Sequence, residues 1–244
     1  MIIIDTHAHL GLCRIFELDI KSEDLIRTMD ENNIQISIVQ PNPGAPDIHA
    51  AHIEVANLAT KYPGRIFGMA CFNPHVDEDE YLKDVNWAIK DLGFKGVKLH
   101  TNGFSISPIS KDAEKVFKAA HKLQIPVMIH TGAGMPNASP ALCIPPAKQY
   151  PDLNIILAHS GMGIYTAEAI VAAMECKNIF LETSWCLSIE LKSLVNKIGA
   201  ERVMFGSDGL ENVPVELTKY RVAKLTEKQL EQCLGKTAME IFKL

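Results

Sequence analysis

The sequence predicts an α/β fold, a (β/α)8 barrel formed as a single domain over residues 1–244. Three observations lead there. Short β-rich runs recur eight times, each followed by a longer stretch, most of them amphipathic at helical period. The runs are largely apolar rather than strictly alternating, as parallel strands covered on both faces must be. The length of 244 residues sits close to the roughly 250 typical of eight βα units.

The predicted strands are Ile2–Thr6, Gln35–Gln40, Arg65–Ala70, Gly96–Leu99, Pro126–Ile129, Asn154–Ala158, Ile179–Thr183 and Arg202–Gly206. Helical patterns lie between them at Glu23–Asn32, Ile48–Tyr62, Glu78–Leu92, Lys111–Leu123 and Thr166–Cys176. Ser22 and Ser110 stand where an N-cap hydroxyl satisfies free backbone N–H groups. Two further helical segments, Val215–Lys224 and Glu227–Phe242, follow the last strand. An open doubly wound sheet allows the same alternation, but it uses about five or six strands and carries a GxGxxG after the first. Neither feature fits this chain.

Bulk composition excludes several function classes. Lys plus Arg number 24 against 29 for Asp plus Glu, a net charge of −5. No block of like charges offers a nucleic-acid or anionic-membrane surface. The six cysteines contain no CxxC pair and read as reduced, mostly buried thiols. The three isoleucines before Asp5 are too short for a signal peptide's apolar region, and no apolar run approaches membrane-spanning length. The expected setting is the cytoplasm.

The strand exits carry the chemistry, since a barrel builds its active site where strands run into βα loops. The first strand leads into His7-Ala8-His9, and side-chain alternation turns both imidazoles to one face, a spacing that suits one metal ion. The fifth strand ends at His130, the sixth at His159 and the eighth at Asp208. Lys98 and His100 share the face of the fourth strand opposite Val97 and Leu99. A single His at a strand end is ordinarily a polar loop residue. An HxH pair, two later His and an Asp on separate exits point together to a metal site. His49, His52, His75 and His121 fall on helices or a loop and read as surface or helix-packing residues. Cys71, at a strand end, reads as a buried structural thiol.

The motifs IDTHAHL, GVKLH, PVMIH, LAHSG and FGSD occur in the order and at the strand positions of the amidohydrolase superfamily. The chain most resembles its amidohydrolase-related branch, which includes aminocarboxymuconate-semialdehyde decarboxylase. The resemblance runs from the first strand to the closing GKTAMEIFKL and implies the barrel fold. It implies His7, His9, His130 and Asp208 as ligands of one divalent ion, zinc by expectation, with manganese or another ion as substitutes. His159 then matches a residue that contacts substrate or the metal-bound water. Lys98 matches a position that is a carboxylated, metal-bridging lysine in binuclear members. A second metal is expected only with that modification, and His130 and His159 would then hold it.

An ion with an open position lowers the pKa of bound water to about 7. Asp208 is then the expected catalytic proton carrier and His159 the residue that polarises a carbonyl or protonates an oxyanion. Lys98, His100 and Arg14 are candidates for holding an anionic substrate group, Arg14 equally well a solvated loop cation. Trp185 suits a pocket wall or helix packing. The expected activity is hydrolysis of a small amide, lactone or ester-like substrate. Nonoxidative decarboxylation or hydration of a carboxylated substrate is the alternative on the same ligands. A TatD-like nuclease would place an acidic ligand where Lys98 stands, and a polymerase-and-histidinol-phosphatase type would add acids where Leu10 and Gly11 follow His9. Neither pattern is met. The expected partner is a small molecule, in a shallow site that a neighbouring subunit of a homo-oligomer could close.

Overall fold

A computed structural model describes residues 1–244. The predicted alternation forms two hydrogen-bonded runs of parallel strands. The first contains β1 (Ile4–Cys13), β3 (Ile36–Pro41) and β4 (Ile66–Gly68), with β2 (Leu18–Ile20) folded back antiparallel on the end of β1. The second contains β5 (Val97–Leu99), β6 (Val127–His130), β7 (Ile155–Ala158), β8 (Ile179–Glu182) and β9 (Val203–Met204). Backbone hydrogen bonds cross both seams. Ala70 N–H donates to the Gly96 carbonyl at 2.9 Å and Lys98 N–H to Ala70 at 2.7 Å. At the other seam Thr6 N–H donates to Phe205 at 3.1 Å and Asp208 N–H to His7 at 2.7 Å. The eight parallel strands are therefore hydrogen-bonded across both seams, and the free edge that remains is that of β2.

The strands are wrapped by α1 (Ser22–Glu31), α2 (Ile48–Lys61), α3 (Glu78–Lys90), α4 (Lys111–Leu123), α5 (Ile144–Gln149), α6 (Thr166–Glu175), α7 (Ser188–Ile198) and α8 (Val213–Val222). Ser110 caps α4 by accepting from Ala113 N–H at 3.2 Å. Ser22 instead begins α1, and Lys21 occupies its N-cap without a side-chain bond. The short helix α5 falls where no periodicity predicts it, opening on a Pro pair that presets the helical φ. The last predicted helix is broken. α9 (Glu227–Glu231) passes through a π-helical turn at Gln232–Lys236 into α10 (Thr237–Phe242). Gly235 in that turn lies so close to the segment before β1 that a Cβ there would meet the Ile2 carbonyl at 2.6 Å. No helix is long and apolar enough to cross a membrane.

Hydrophobic burial forms two cores, as the fold requires. The larger lies between strands and helices and includes Leu25, Val55, Tyr81, Val116, Leu157 and Leu194. The smaller fills the barrel interior with Ile4, Ile38, Met69, Met128, Ile156 and Met204, and Ile241 and Phe242 of α10 plug its base.

His52 belongs to the outer core. It stacks on Phe72 with ring centroids 4.0 Å apart, its Nδ1 donates to the Ile48 carbonyl at 2.6 Å, and its Nε2 accepts from Cys71 N–H at 3.0 Å. Burial lowers its pKa from 6.5 to about 4. The unfolded chain therefore takes up a proton between pH 6.5 and 4 that the folded chain refuses. Stability is present above pH 6.5 and is lost as pH falls through about 4, a contribution on the order of 3 kcal/mol. Urea unfolding of His52→Asn across this window is expected to show a shallower acid loss than the parent, whatever the variant's stability at neutral pH.

Candidate metal centre

The centre begins with an irregularity in β1. Asp5 pairs with Ser37 and Ala8 with Val39, so β1 spends one more residue than β3 over the same interval. The slip lets Ile4 fill the interior core while His7 and His9, further along the strand, also turn inward. β1 continues to Cys13, so both histidines lie within the strand rather than at its exit, where the sequence places them.

Asp208 meets them from the loop after β9. Its Oδ1 lies 3.1 Å from His7 Nε2 and 3.2 Å from His9 Nε2. The ligand atoms of His7, His9 and Asp208 lie within 4.8 Å of one another. Gly206 permits this approach, since a Cβ there would stand 2.6 Å from Glu182 Oε1 and 2.8 Å from His7 Cβ. Asp208 itself adopts a left-handed backbone at φ 66°, a strained state for a non-glycine residue. Asp5 helps to hold it there, its carboxylate accepting from Ser207 N–H at 3.0 Å, Ser207 Oγ at 2.6 Å and His7 N–H at 3.1 Å.

Lys98 enters from β5, fully buried, with Nζ 2.9 Å from His7 Nε2. Burial lowers its pKa to about 8, opposed by the fields of Asp208 and Glu182. His159 lies against His7 with ring centroids 5.0 Å apart, and its Nε2 is 3.0 Å from Nδ1 of His130, which stands outside the compact His7, His9 and Asp208 cluster. His100 stacks on His130 at 4.6 Å between centroids, and its Nδ1 accepts from Gly103 N–H at 3.0 Å. Phe16, in the turn between β1 and β2, lies 5.7 Å from the His100 ring. Arg14 is exposed on the same segment, its backbone N–H tied to the Gly44 carbonyl at 3.0 Å.

Burial pushes the imidazoles of His7, His100 and His130 well below their usual range, and that of His159 to about 3. Neutral imidazole is the form that coordinates metal. Burial alone would raise Asp208, yet its contacts with His7, His159 and His9 outweigh it and hold the carboxyl well below the usual carboxylate range. Two buried ring nitrogens, His9 Nδ1 and His130 Nε2, have no hydrogen-bond partner. Neutral histidines around an ionised carboxylate, with buried nitrogens left unpaired, fit a divalent ion.

Two groups were not singled out by sequence reasoning. Glu182, the last residue of β8, is completely buried. It accepts from His7 Nδ1 at 2.9 Å, Ser184 Oγ at 2.9 Å, His159 N–H at 3.1 Å and Ser184 N–H. Its only sequence signal is an acid closing an apolar run at a strand exit. The second group is the buried ion pair Glu216–Lys219 on α8. Glu216 accepts from Trp185 N–H at 2.8 Å and Asn212 Nδ2 at 3.0 Å, while Lys219 donates to the Thr183 and Cys186 carbonyls at 3.0 and 2.8 Å. Trp185, half exposed at φ 61°, in turn donates its indole N–H to Asp208 Oδ2 at 2.7 Å. Cys71 is a structural thiol. Burial pushes it up to about 12 and keeps it protonated.

A wide surface groove lies at the other end of the barrel, between His121, Gln124, Asn154 and Lys243, and gathers no comparable donors. Chemistry rather than size selects the site. A parallel eight-stranded barrel with this donor group at its carboxyl end has the form of a metal-dependent enzyme. A family model described as Amidohydrolase matches residues 4–244, and the chain belongs to that family. No curated protein matches the sequence. Several solved structures share the fold. The 2,6-dihydroxybenzoate decarboxylase from Rhizobium is 18% identical with a TM-score of 0.79, over 100% of this chain and 99% of that one. The 5-carboxyvanillate decarboxylase from Novosphingobium aromaticivorans, complexed with manganese and 4-hydroxy-3-methoxy-5-nitrobenzoic acid, is 16% identical with a TM-score of 0.79, over 100% and 96%. A protein from Acinetobacter baumannii described as a probable 2-pyrone-4,6-dicarboxylic acid hydrolase is 17% identical with a TM-score of 0.74, over 100% of both chains.

Proposed function

We propose that this protein is a single-domain, metal-dependent hydrolase of a small amide, lactone or ester-like substrate. His7, His9, His130 and Asp208 would hold one divalent ion, zinc or manganese, and Lys98 stays an unmodified charged group of the pocket. The observation that carries this reading is the placement of the Asp208 carboxylate. One oxygen faces both histidines of β1 and the other is held by the Trp185 indole. When bound, the ion supplies Lewis acidity to a substrate carbonyl and acidifies a water molecule. Asp208, ionised at neutral pH, takes the proton from the attacking water and passes it to the leaving group. His159 is the second proton-handling residue, and Lys98 and His100 offer positive or polar contacts to an anionic part of the substrate.

A lyase on the same site is the second reading. Lys98, buried beside stacked His100 and His130, supplies a cation and neutral imidazoles suited to a carboxylated substrate. The structurally similar decarboxylases favour it too. Incubation of metal-loaded protein with lactones, amides and carboxylated aromatic acids separates the two. The hydrolase reading expects water addition across a lactone or amide; release of CO2 without any hydrolytic product overturns it.

A further inference from the structure

Glu182 does more than fill a polar hole. Its carboxylate can only accept hydrogen bonds, so each neighbour that reaches it must give up a proton position. His7 Nδ1, at 2.9 Å, therefore carries the ring hydrogen and donates it. His7 Nε2 is left bare, able to accept from the Lys98 ammonium 2.9 Å away.

The same logic reaches a second ring through Ser184. Its hydroxyl has one hydrogen, and Glu182 Oε2 at 2.9 Å is the charge-assisted acceptor that takes it. The hydroxyl oxygen must then accept at its other contact, His159 Nδ1 at 2.8 Å. That nitrogen carries the hydrogen of His159, and His159 Nε2 is bare. His130 Nδ1, 3.0 Å from it, is the donor of their contact. The His159 backbone N–H, also bonded to Glu182 at 3.1 Å, keeps the residue from swinging away at its left-handed φ of 65°.

We propose that Glu182 is a positioning residue that sets the tautomers of two rings at once, His7 directly and His159 through Ser184. Each ring then presents an unprotonated Nε2 to the interior of the site. The consequence for catalysis rests on the metal-dependent reading above. His159 enters a turnover as a proton acceptor, and it becomes a donor only after it has taken a proton. This assigns an order to its two roles. Ser184, which touches no reacting atom, becomes the switch that determines it.

Histidine tautomers can be read directly. The full-length chain, labelled with 15N at histidine, is observed by long-range 1H–15N correlation before and after Zn2+ is added, with His7→Gln and His159→Gln assigning the signals. His7 and His159 are both expected as Nδ1–H rings in both states. Ser184→Ala is expected to leave His7 unchanged and to bring up the Nε2–H form of His159, and Ser184→Thr to restore the parent pattern. A His159 ring that is Nε2–H in the parent, or indifferent to Ser184→Ala, overturns the proposal. Mn2+ binding, followed by the electron paramagnetic resonance of the free ion, adds a second measure. Glu182→Gln is expected to weaken it by roughly 10- to 100-fold, while Ser184→Ala leaves it within a few-fold. A parent chain that binds no Mn2+ overturns the metal reading and the catalytic order drawn from it. The tautomer spectra judge the Glu182 relay on their own.

Discussion

Asp208→Ala is expected to abolish stoichiometric metal and to lower turnover by about 1,000- to 10,000-fold. On the proposed reading, two separate functions end in this carboxylate. Its Oδ1 stands over the Nε2 atoms of His7 and His9, so its loss leaves the two rings without the negative charge that would balance a divalent ion. It is also the ionised group placed to carry a proton. Asp208→Asn keeps the shape and one oxygen but removes the charge, and it is expected to retain part of the metal with the same loss of turnover. His159→Asn is the contrast. It should keep one metal per chain and lose activity, because His159 handles protons rather than the ion under a one-metal reading. Metal analysis by mass spectrometry checks all three. Loss of stoichiometric metal from His159→Asn would sink the one-metal ligand set.

Glu216→Ala is expected to give the largest loss of stability, about 3–5 kcal/mol. Lys219 is nearly buried and would be left as an unpaired ammonium. The Trp185 N–H and the Asn212 side chain would lose their common acceptor as well. For a chain of this length the loss corresponds to a fall in Tm of about 6–20 °C. Glu216→Met combined with Lys219→Met removes both charges and is expected to recover part of it, with the Thr183 and Cys186 carbonyls left as the residual deficit. Calorimetry of the single and double variants separates the effects. A single variant as stable as the parent would mean that the pair contributes nothing across these two loops.

The His7 and His9 pair was readable because alternation along a strand is local. The same holds for the strand-exit positions of His130, His159 and Asp208, which follow from where apolar runs stop. Lys98 could be placed on a face but not paired, since its partner His7 lies 91 residues earlier. Glu182 and Glu216 were passed over for a common reason. An acid on a strand or helix looks solvent-facing until the groups that donate to it are in place. Arg14 lies exposed on the hairpin of β1 and β2, and which way that hairpin turns is set by pairings that no local pattern carries.

The sequence by itself determined the barrel class, the count of eight βα units and the residue types that stand at the strand ends. Each depends on periodicity or on side-chain chemistry that needs no distant partner. The tertiary structure alone decided how those residues meet. The extra residue of β1 against β3 puts His7 and His9 on the inner face together with Ile4. Closure of the barrel brings residues 7, 98, 182 and 208 to within hydrogen-bonding distance of their neighbours. A low-dielectric interior then makes the imidazoles of His7, His130 and His159 neutral, while close contacts with the histidines hold Asp208 ionised against that same burial, a state that composition cannot carry because it belongs to the cavity and not to any one residue.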